Sequence, residues 1–374
     1  MTVSRRALLR RAGAAVAVAA TGPFRLDAAA AARPRGPAPV RLSHNESAYG
    51  ASPDTLAAIR QADAGTVSLY PDVEYEALRQ KLAVKHRVPA ERIVLGAGAS
   101  DLLRTLADAY LSPDKSLIVA HPTCEVIARW GHRAGAAIRR VPLAANWSHD
   151  VAAMLRSCDD TTALVYLCNP NNPTGSLTRR ADIDAFLVAL PATTLLVVDE
   201  AYHDYMTAGD DHASFLDRPV DDERIVVVRS FSKAYALAGL RVGYVVASPP
   251  VVERMAEAAG SPSVSSTAAV AAAAALDDAS HLRSVVTRVA NDRQEFYNQA
   301  NARMLRVIDS HANFVMLNTT RRAGDIVNHF ARNGIALPAP FEPLGEYVRV
   351  TLGTASDMQA FWRVWDLMSL AHTL

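Results

Sequence analysis

Lys233 sits in the string Ser230-Phe231-Ser232-Lys233-Ala234-Tyr235-Ala236-Leu237-Ala238-Gly239-Leu240-Arg241, with two serines before it and an arginine two helical turns beyond. A lysine can hold an aldehyde cofactor as a Schiff base only by attacking from its neutral form, which calls for a desolvated cleft that lowers its pKa. Ala234, Ala236, Leu237, Ala238 and Leu240 supply small apolar neighbours for such a cleft. Ser230 and Ser232 are two apart, so an extended segment turns both hydroxyls to one side, toward a ligand group they could share. Arg241 adds a planar fork suited to phosphate oxygens. On its own this string also reads as a surface lysine with ordinary neighbours, so the elements that would position it decide.

Upstream, Leu195-Leu196-Val197-Val198-Asp199-Glu200-Ala201-Tyr202 predicts a buried parallel strand that ends in an acid. Acids at the carboxyl ends of such strands lie where α/β sheets bind ligands. Facing a pyridine nitrogen, Asp199 would keep it protonated and make the ring an electron sink, with Tyr202 placed to hydrogen-bond the ring's phenolate oxygen. Alone, Asp199 reads as a helix N-cap. Val165-Tyr166-Leu167-Cys168 is a second apolar strand, followed by Asn169-Pro170-Asn171-Asn172-Pro173-Thr174-Gly175. Two prolines and a glycine make that turn rigid, which lets Asn172 aim its amide. Ile93-Val94-Leu95 leads through Gly96-Ala97-Gly98-Ala99-Ser100 into a helix from Asp101, so free N–H groups and a positive helix end can meet an anion. The Gly96/Gly98 pair lacks the third glycine and distal acid of a dinucleotide fingerprint, which argues against a nicotinamide cofactor.

In the order GAGAS, HPT, NPNNPTG, VVDEAY, SFSKAYALAGLRVG and VRVTLGT, with Leu42-Ser43-His44-Asn45-Glu46-Ser47-Ala48-Tyr49-Gly50 and Tyr70-Pro71-Asp72 ahead of them, the chain resembles the fold-type I, class I and II pyridoxal-phosphate aminotransferases, most closely their histidinol-phosphate branch. The resemblance covers roughly residues 40 to 370. It implies pyridoxal 5′-phosphate as cofactor and a ping-pong transfer from an amino acid or related amine to a 2-oxo acid. By the same resemblance Lys233 forms the Schiff base and shuttles the α-proton, and Asp199 pairs with the ring nitrogen. Asn172 and Tyr202 would hold the 3′ oxygen, and Ala99, Ser100, Ser230, Ser232 and Arg241 the phosphate. Tyr70 matches a tyrosine that reaches the neighbouring subunit's phosphate, which implies a homodimer. Arg349 matches the arginine that clamps the substrate α-carboxylate, with Asn172 beside it. Because the pocket decides which bond breaks, a lyase or decarboxylase is the alternative on this scaffold. An alternative of another class is a non-catalytic cofactor-binding regulator, disfavoured because no DNA-binding helix pair precedes the domain.

Two positions depart from the family pattern. Cys124, in His121-Pro122-Thr123-Cys124, stands where an aromatic ring usually stacks on the cofactor, and a thiol cannot stack. Neither His121 nor His132 has a further ligand at zinc spacing, so no metal is expected. After Gly334-Ile335-Ala336-Leu337 the branch carries an arginine for the substrate phosphate, and this chain has Pro338. An unphosphorylated amino acid or amine is therefore the expected substrate.

The first residues bear on location. Ser4-Arg5-Arg6-Ala7-Leu8-Leu9-Arg10, the apolar Ala12 to Ala20 and small residues from Asp27 to Ala32 resemble a twin-arginine export signal. The expectation is export of the folded, cofactor-loaded enzyme by that machinery to the periplasm or beyond, or a cytoplasmic protein if the signal is unused. A net charge of +1 without basic clusters outside the signal gives no nucleic-acid surface. Cysteines 124, 158 and 168 cannot all pair, so the fold does not rely on disulfides. The expected organisation is signal 1–32, linker and N-terminal segment 33–74, a cofactor-binding large domain 75–275 and a small α/β domain 276–374. The strand and helix alternation predicts an α/β fold with a mostly parallel sheet covered on both faces, and the resemblance implies that this sheet is of the seven-stranded type and that a smaller C-terminal domain follows. Gly260 to Ser266 reads as a hinge loop, and Thr267 to Leu276 as the start of a long linking helix.

Overall fold

The computed structural model describes residues 39–206, 213–217, 219 and 222–370, so the expected signal segment 1–32 lies outside the described residues. The strands in chain order are β1 Val40–Arg41, β2 Ile93–Gly96, β3 Ser116–His121, β4 Ala137–Pro142, β5 Thr162–Cys168, β6 Leu195–Asp199, β7 Ile225–Ser230, β8 Gly243–Val246, β9 Arg306–Ile308, β10 Phe314–Asn318, β11 Ile335–Ala336 and β12 Tyr347–Thr351. Seven of them form one sheet in the order β2-β8-β7-β6-β5-β3-β4. Only β8 runs antiparallel to its neighbours.

Hydrophobic alternation explains why this sheet is covered twice. Val197, Val226 and Val228 enter one apolar cluster, and Val198 and Val227 enter the cluster on the other face. Every residue of β7 is buried. Burying one such valine or leucine contributes about 1.5–3 kcal/mol, so continuous apolar strands are driven to the middle of the layers. A single edge of this sheet collects the ends that matter: Gly96 closes β2, His121 closes β3, Cys168 closes β5, Asp199 closes β6, Ser230 closes β7, and Gly243 opens the reversed β8.

A second sheet, β12-β10-β9, is antiparallel throughout. The helices Ala279–Ala302, Ala323–Arg332 and Ala355–Leu370 share its core, where Phe330 and Phe361 stack at 4.7 Å beside Phe296 and Trp362. The first described strand, β1, pairs in parallel with β11, so the N-terminal strap is anchored beside these C-terminal elements.

Two local expectations are corrected. Lys233 and Arg241 do not lie on one helix: the segment is a loop, with Ala236 and Arg241 in the left-handed region at φ 60° and 56°. Its ends are tied by Phe231 N donating to Val242 O at 3.2 Å, so the β7–β8 reversal, not helical spacing, brings lysine and arginine together. The helix predicted from Thr267 spans Ser266–Asp277 and stops. Asp278 then caps a separate helix by accepting from His281 N at 2.9 Å.

Candidate active site

The phosphate cup is built where β2 meets the helix Ala99–Tyr110. Gly98 is the N-cap at φ 82°, and no side chain caps this helix end. The first-turn N–H groups, Ala99 and Ser100 among them, have no intrahelical acceptor and face outward. Arg241 closes the cup, with Nη1 donating to Ser232 Oγ at 3.2 Å and Nη2 to Ala97 O at 3.3 Å. A Cβ on Gly98 would collide with that guanidinium, 2.9 Å from Cζ. One on Gly243 would lie 3.0 Å from Ala99 N. Both glycines are therefore needed for the close approach of arginine, turn and strand. Ser230 and Ser232 are buried beside it, and Ser232 N donates to Ser230 Oγ at 3.1 Å.

Beyond the cup lies Lys233. Its Nζ donates to the carbonyls of His44 and Asn45 at 3.2 and 3.1 Å and stands 5.4 Å from the Tyr202 ring centroid. Burial, reinforced by the charge of Arg349, brings this ammonium down to about 8. Below pH 8 the lysine is mostly charged, and above it mostly neutral and nucleophilic. Capture of pyridoxal phosphate by the cofactor-free protein should therefore accelerate as pH rises, with a midpoint near 8. Stopped-flow absorbance against pH checks this, and a midpoint near 10.5, the ordinary lysine value, would contradict the desolvated setting.

Asp199 is buried at the end of β6, accepting from Tyr166 OH at 2.8 Å and from Ala201 N at 3.1 Å. Burial raises its pKa, while Tyr166, Ala201 and Lys233 work against that rise. A cationic ring nitrogen would add the strongest such opposition. Cys124 lies beside Asp199, Tyr166 and Lys233, and burial pushes its thiol up, so it is a neutral, small neighbour of the site. It is set there by Asn171, which accepts from Thr123 Oγ1 at 2.7 Å and donates to Pro122 O at 3.1 Å, joining the His121–Thr123 turn to the Asn169–Gly175 loop.

That loop presents Asn172, whose Nδ2 donates to Tyr202 OH at 3.3 Å and whose Oδ1 accepts from Arg349 Nη1 at 2.6 Å. Asn45 Nδ2 also donates to Tyr202 OH, at 3.0 Å. Both contacts deliver protons to the phenol oxygen, which leaves the phenol's own proton to be donated elsewhere. Arg349 Nη2 donates to Ser43 O at 2.6 Å, its Nε is buried with no partner, and Phe314 and Phe341 lie 5.4 and 5.0 Å from its Cζ. Tyr70 is not part of this site; it is 89 % exposed.

These residues fit pyridoxal phosphate by the chemistry of their donors. The cup offers N–H groups, hydroxyls and a guanidinium to a phosphate; Asp199 offers a carboxylate to a ring nitrogen; Tyr202 and Asn172 offer donors to a phenolate; Lys233 offers an amine of lowered pKa. Sequence reasoning missed Asn45 and Tyr166. A tyrosine inside an apolar strand needs a partner for its hydroxyl, and that signal could have found Tyr166. Asn45 carries no comparable signal, because its partners Tyr202 and Thr351 are 157 and 306 residues away.

Residues 37–364 match the family described as aminotransferase class I and II. A histidinol-phosphate aminotransferase of Moorella thermoacetica is 33 % identical over 87 % of this chain and 84 % of its own length. Histidinol-phosphate aminotransferase 2 of Pseudomonas fluorescens is 36 % identical over 86 % of each. The crystal structure of the Sinorhizobium meliloti histidinol-phosphate aminotransferase in complex with pyridoxal-5′-phosphate superposes with a TM-score of 0.79 at 28 % identity, covering 91 % of this chain and 96 % of that one.

Proposed function

The chain belongs to the class I and II aminotransferases and is a pyridoxal-phosphate-dependent transaminase; from that premise we propose that its amino donor is an unphosphorylated amino acid and that Lys233, Asp199, Tyr202, Asn172 and Arg349 carry the reaction. The observation that carries the assignment of roles is the meeting of these five at one site, with the lysine brought down to about 8. Bound pyridoxal phosphate supplies an electrophilic aldehyde and an electron sink for the α-carbon. Arg349 clamps the substrate carboxylate, exchanging its resting contacts to Asn172 and Ser43 for a bidentate pair. Lys233 Nζ takes the proton from the substrate α-carbon in the first half-reaction and returns one there in the second. Asp199 stays ionised against the ring nitrogen, and Tyr166 and Ala201 N fix its orientation. Tyr202 donates its free proton to the phenolate side, oriented by Asn45 and Asn172.

The unphosphorylated donor is supported by the stretch Ile335 to Val348, which holds Pro338 and two glutamates but no lysine or arginine. Within it Phe341 presents a ring, not a cation, to Arg349. Absorbance titration with a panel of amino acids tests this. Conversion of the aldehyde form to the amine form by an unphosphorylated amino acid, reversed by a 2-oxo acid, is the expected result. Faster conversion by histidinol phosphate than by any of them would refute it.

A homodimer with shared sites is supported by four large side chains close in sequence and open to solvent: Val67, Leu69, Tyr70 and Val73 are 69, 74, 89 and 77 % exposed. A second copy covering them would bring Tyr70 to its phosphate cup. Leu69→Glu should shift the protein from dimer to monomer in sedimentation and weaken cofactor retention; an unshifted dimer would place the interface elsewhere. Twin-arginine export is supported by Arg5, Arg6 and the apolar Ala12 to Ala20. Export that persists after Arg5→Lys with Arg6→Lys would rule that route out.

A further inference from the structure

Glu200 and Arg229 form an ion pair inside the sheet, with Nε to Oε2 at 2.8 Å and side chains 0 and 6 % exposed. They follow Asp199 and precede Ser230 on adjacent strands, where Asp199 pairs with Val228 and Glu200 N donates to Val228 O at 2.9 Å. Alternation along the strands turns them to the face of Val198 and Val227, opposite to Asp199. Apolar residues such as Phe215 and Leu216 share that face, and Tyr244, Asp204 and Asp217 also act on the Arg229 charge. Ser214 closes the pair: its Oγ donates to Glu200 Oε2 at 2.5 Å and accepts from Arg229 Nη2 at 3.0 Å, and Asp204 stands 3.7 Å from Nη1.

A buried ion pair is poor stabilisation, because desolvating both charges offsets their attraction, and apolar replacements are often as stable or more so. Its directional bonds, however, hold two strand ends at one register. These are the ends that present the ring-nitrogen acid and a phosphate hydroxyl. Charge also matters: burial raises the Asp199 pKa and Glu200 adds to that rise, while Glu200 is itself paired with Arg229.

We propose that Glu200 and Arg229 are positioning residues that hold the ends of β6 and β7, and with them Asp199 and Ser230, at the spacing pyridoxal phosphate requires. The inference rests on the roles assigned above to Asp199 and Ser230. The pair acts from behind the sheet and touches neither cofactor nor substrate.

The double variant E200L/R229M removes both charges together, and D199N is measured beside it. Expected for the double variant are a thermal midpoint of the cofactor-free protein equal to or above the parent's and a dissociation constant for pyridoxal phosphate raised at least ~10-fold, because the strand ends lose their directional tie. Cofactor binding is read by fluorescence quenching, apart from turnover. Unchanged affinity in the double variant with impaired D199N overturns the positioning role alone. Unchanged affinity and turnover in D199N overturn the reading of Asp199, and this inference with it. A loss of affinity that follows a fall in thermal midpoint makes the pair structural and also overturns it. If the double variant does not fold, E200Q/R229M carries the test: it removes both charges and the Nε tie while leaving an amide oxygen for Ser214 Oγ to donate to. Weaker cofactor binding at an unchanged midpoint is then expected, and unchanged binding overturns the proposal.

Discussion

Lys233→Ala should abolish transamination while leaving a protein that still takes up pyridoxal phosphate. Among the described residues the lysine is the one amine positioned at the site, and loss of a positioned proton carrier together with covalent capture lowers turnover by about 10⁴-fold or more. Uptake should survive because the cup is separate: Arg241, Ser232 and the helix end at Gly98 hold each other without Lys233. The folded state should not suffer either, since the amine is desolvated and its hydrogen bonds go to two backbone carbonyls. Absorbance should show free aldehyde in place of the Schiff-base form, and small added amines should restore part of the turnover. Turnover within tenfold of the parent would mean that another group does the proton transfer.

Arg349→Gln should lower kcat/KM for amino acids by about 10²–10⁴-fold, since two charge-assisted hydrogen bonds of about 1.5–3 kcal/mol each are lost at a desolvated site. A glutamine is short and uncharged, so neither bond is replaced. The loss should depend on the substrate: an amine without an α-carboxylate never uses the clamp, and its low rate should stay near its own parent value. Arg349 is held in readiness at present by Asn172 and Ser43, with Nε buried and unpartnered. Burial lowers its pKa, which reflects the cost of keeping a cation there without an anion. Steady-state kinetics with paired substrates checks the prediction. An equal loss for both would assign Arg349 to packing between Phe314 and Phe341.

What could be read from the chain without coordinates has a physical pattern. Asp199 and Asn172 were legible because each ends or follows an unbroken apolar run, and buried parallel strands deliver their last residues to one edge, while Ser230 was legible from its two-residue spacing to Ser232 beside Lys233. The mostly parallel character of the sheet followed from the same runs, and its seven strands from the family resemblance. The loop from Lys233 to Arg241 was not legible: its small apolar residues favour helix locally, yet contacts of Arg241 with Ala97 and Ser232 impose left-handed backbone at two positions. The separate caps around Asp278 were hidden for a related reason, as an alanine-rich run gives no hint of where it stops. Asn45 and the Glu200–Arg229 pair needed tertiary structure outright.

The strap from Val40 to Gly50 has a bearing on when in its life the protein becomes an enzyme. Thr351 Oγ1 donates to Asn45 Oδ1 across 306 residues, Arg349 reaches Ser43 across the same span, and Lys233 leans on carbonyls 188 and 189 residues before it. During synthesis the strap leaves the ribosome 306 residues ahead of Arg349 and Thr351 and waits for these partners. Contacts of such separation close late because the loop entropy must be met before they form. The central sheet can assemble ahead of them, but the carboxylate clamp comes together only once β12 has been made. A truncated product lacking the C-terminal strand would thus carry the whole phosphate cup and still be unable to grip a substrate.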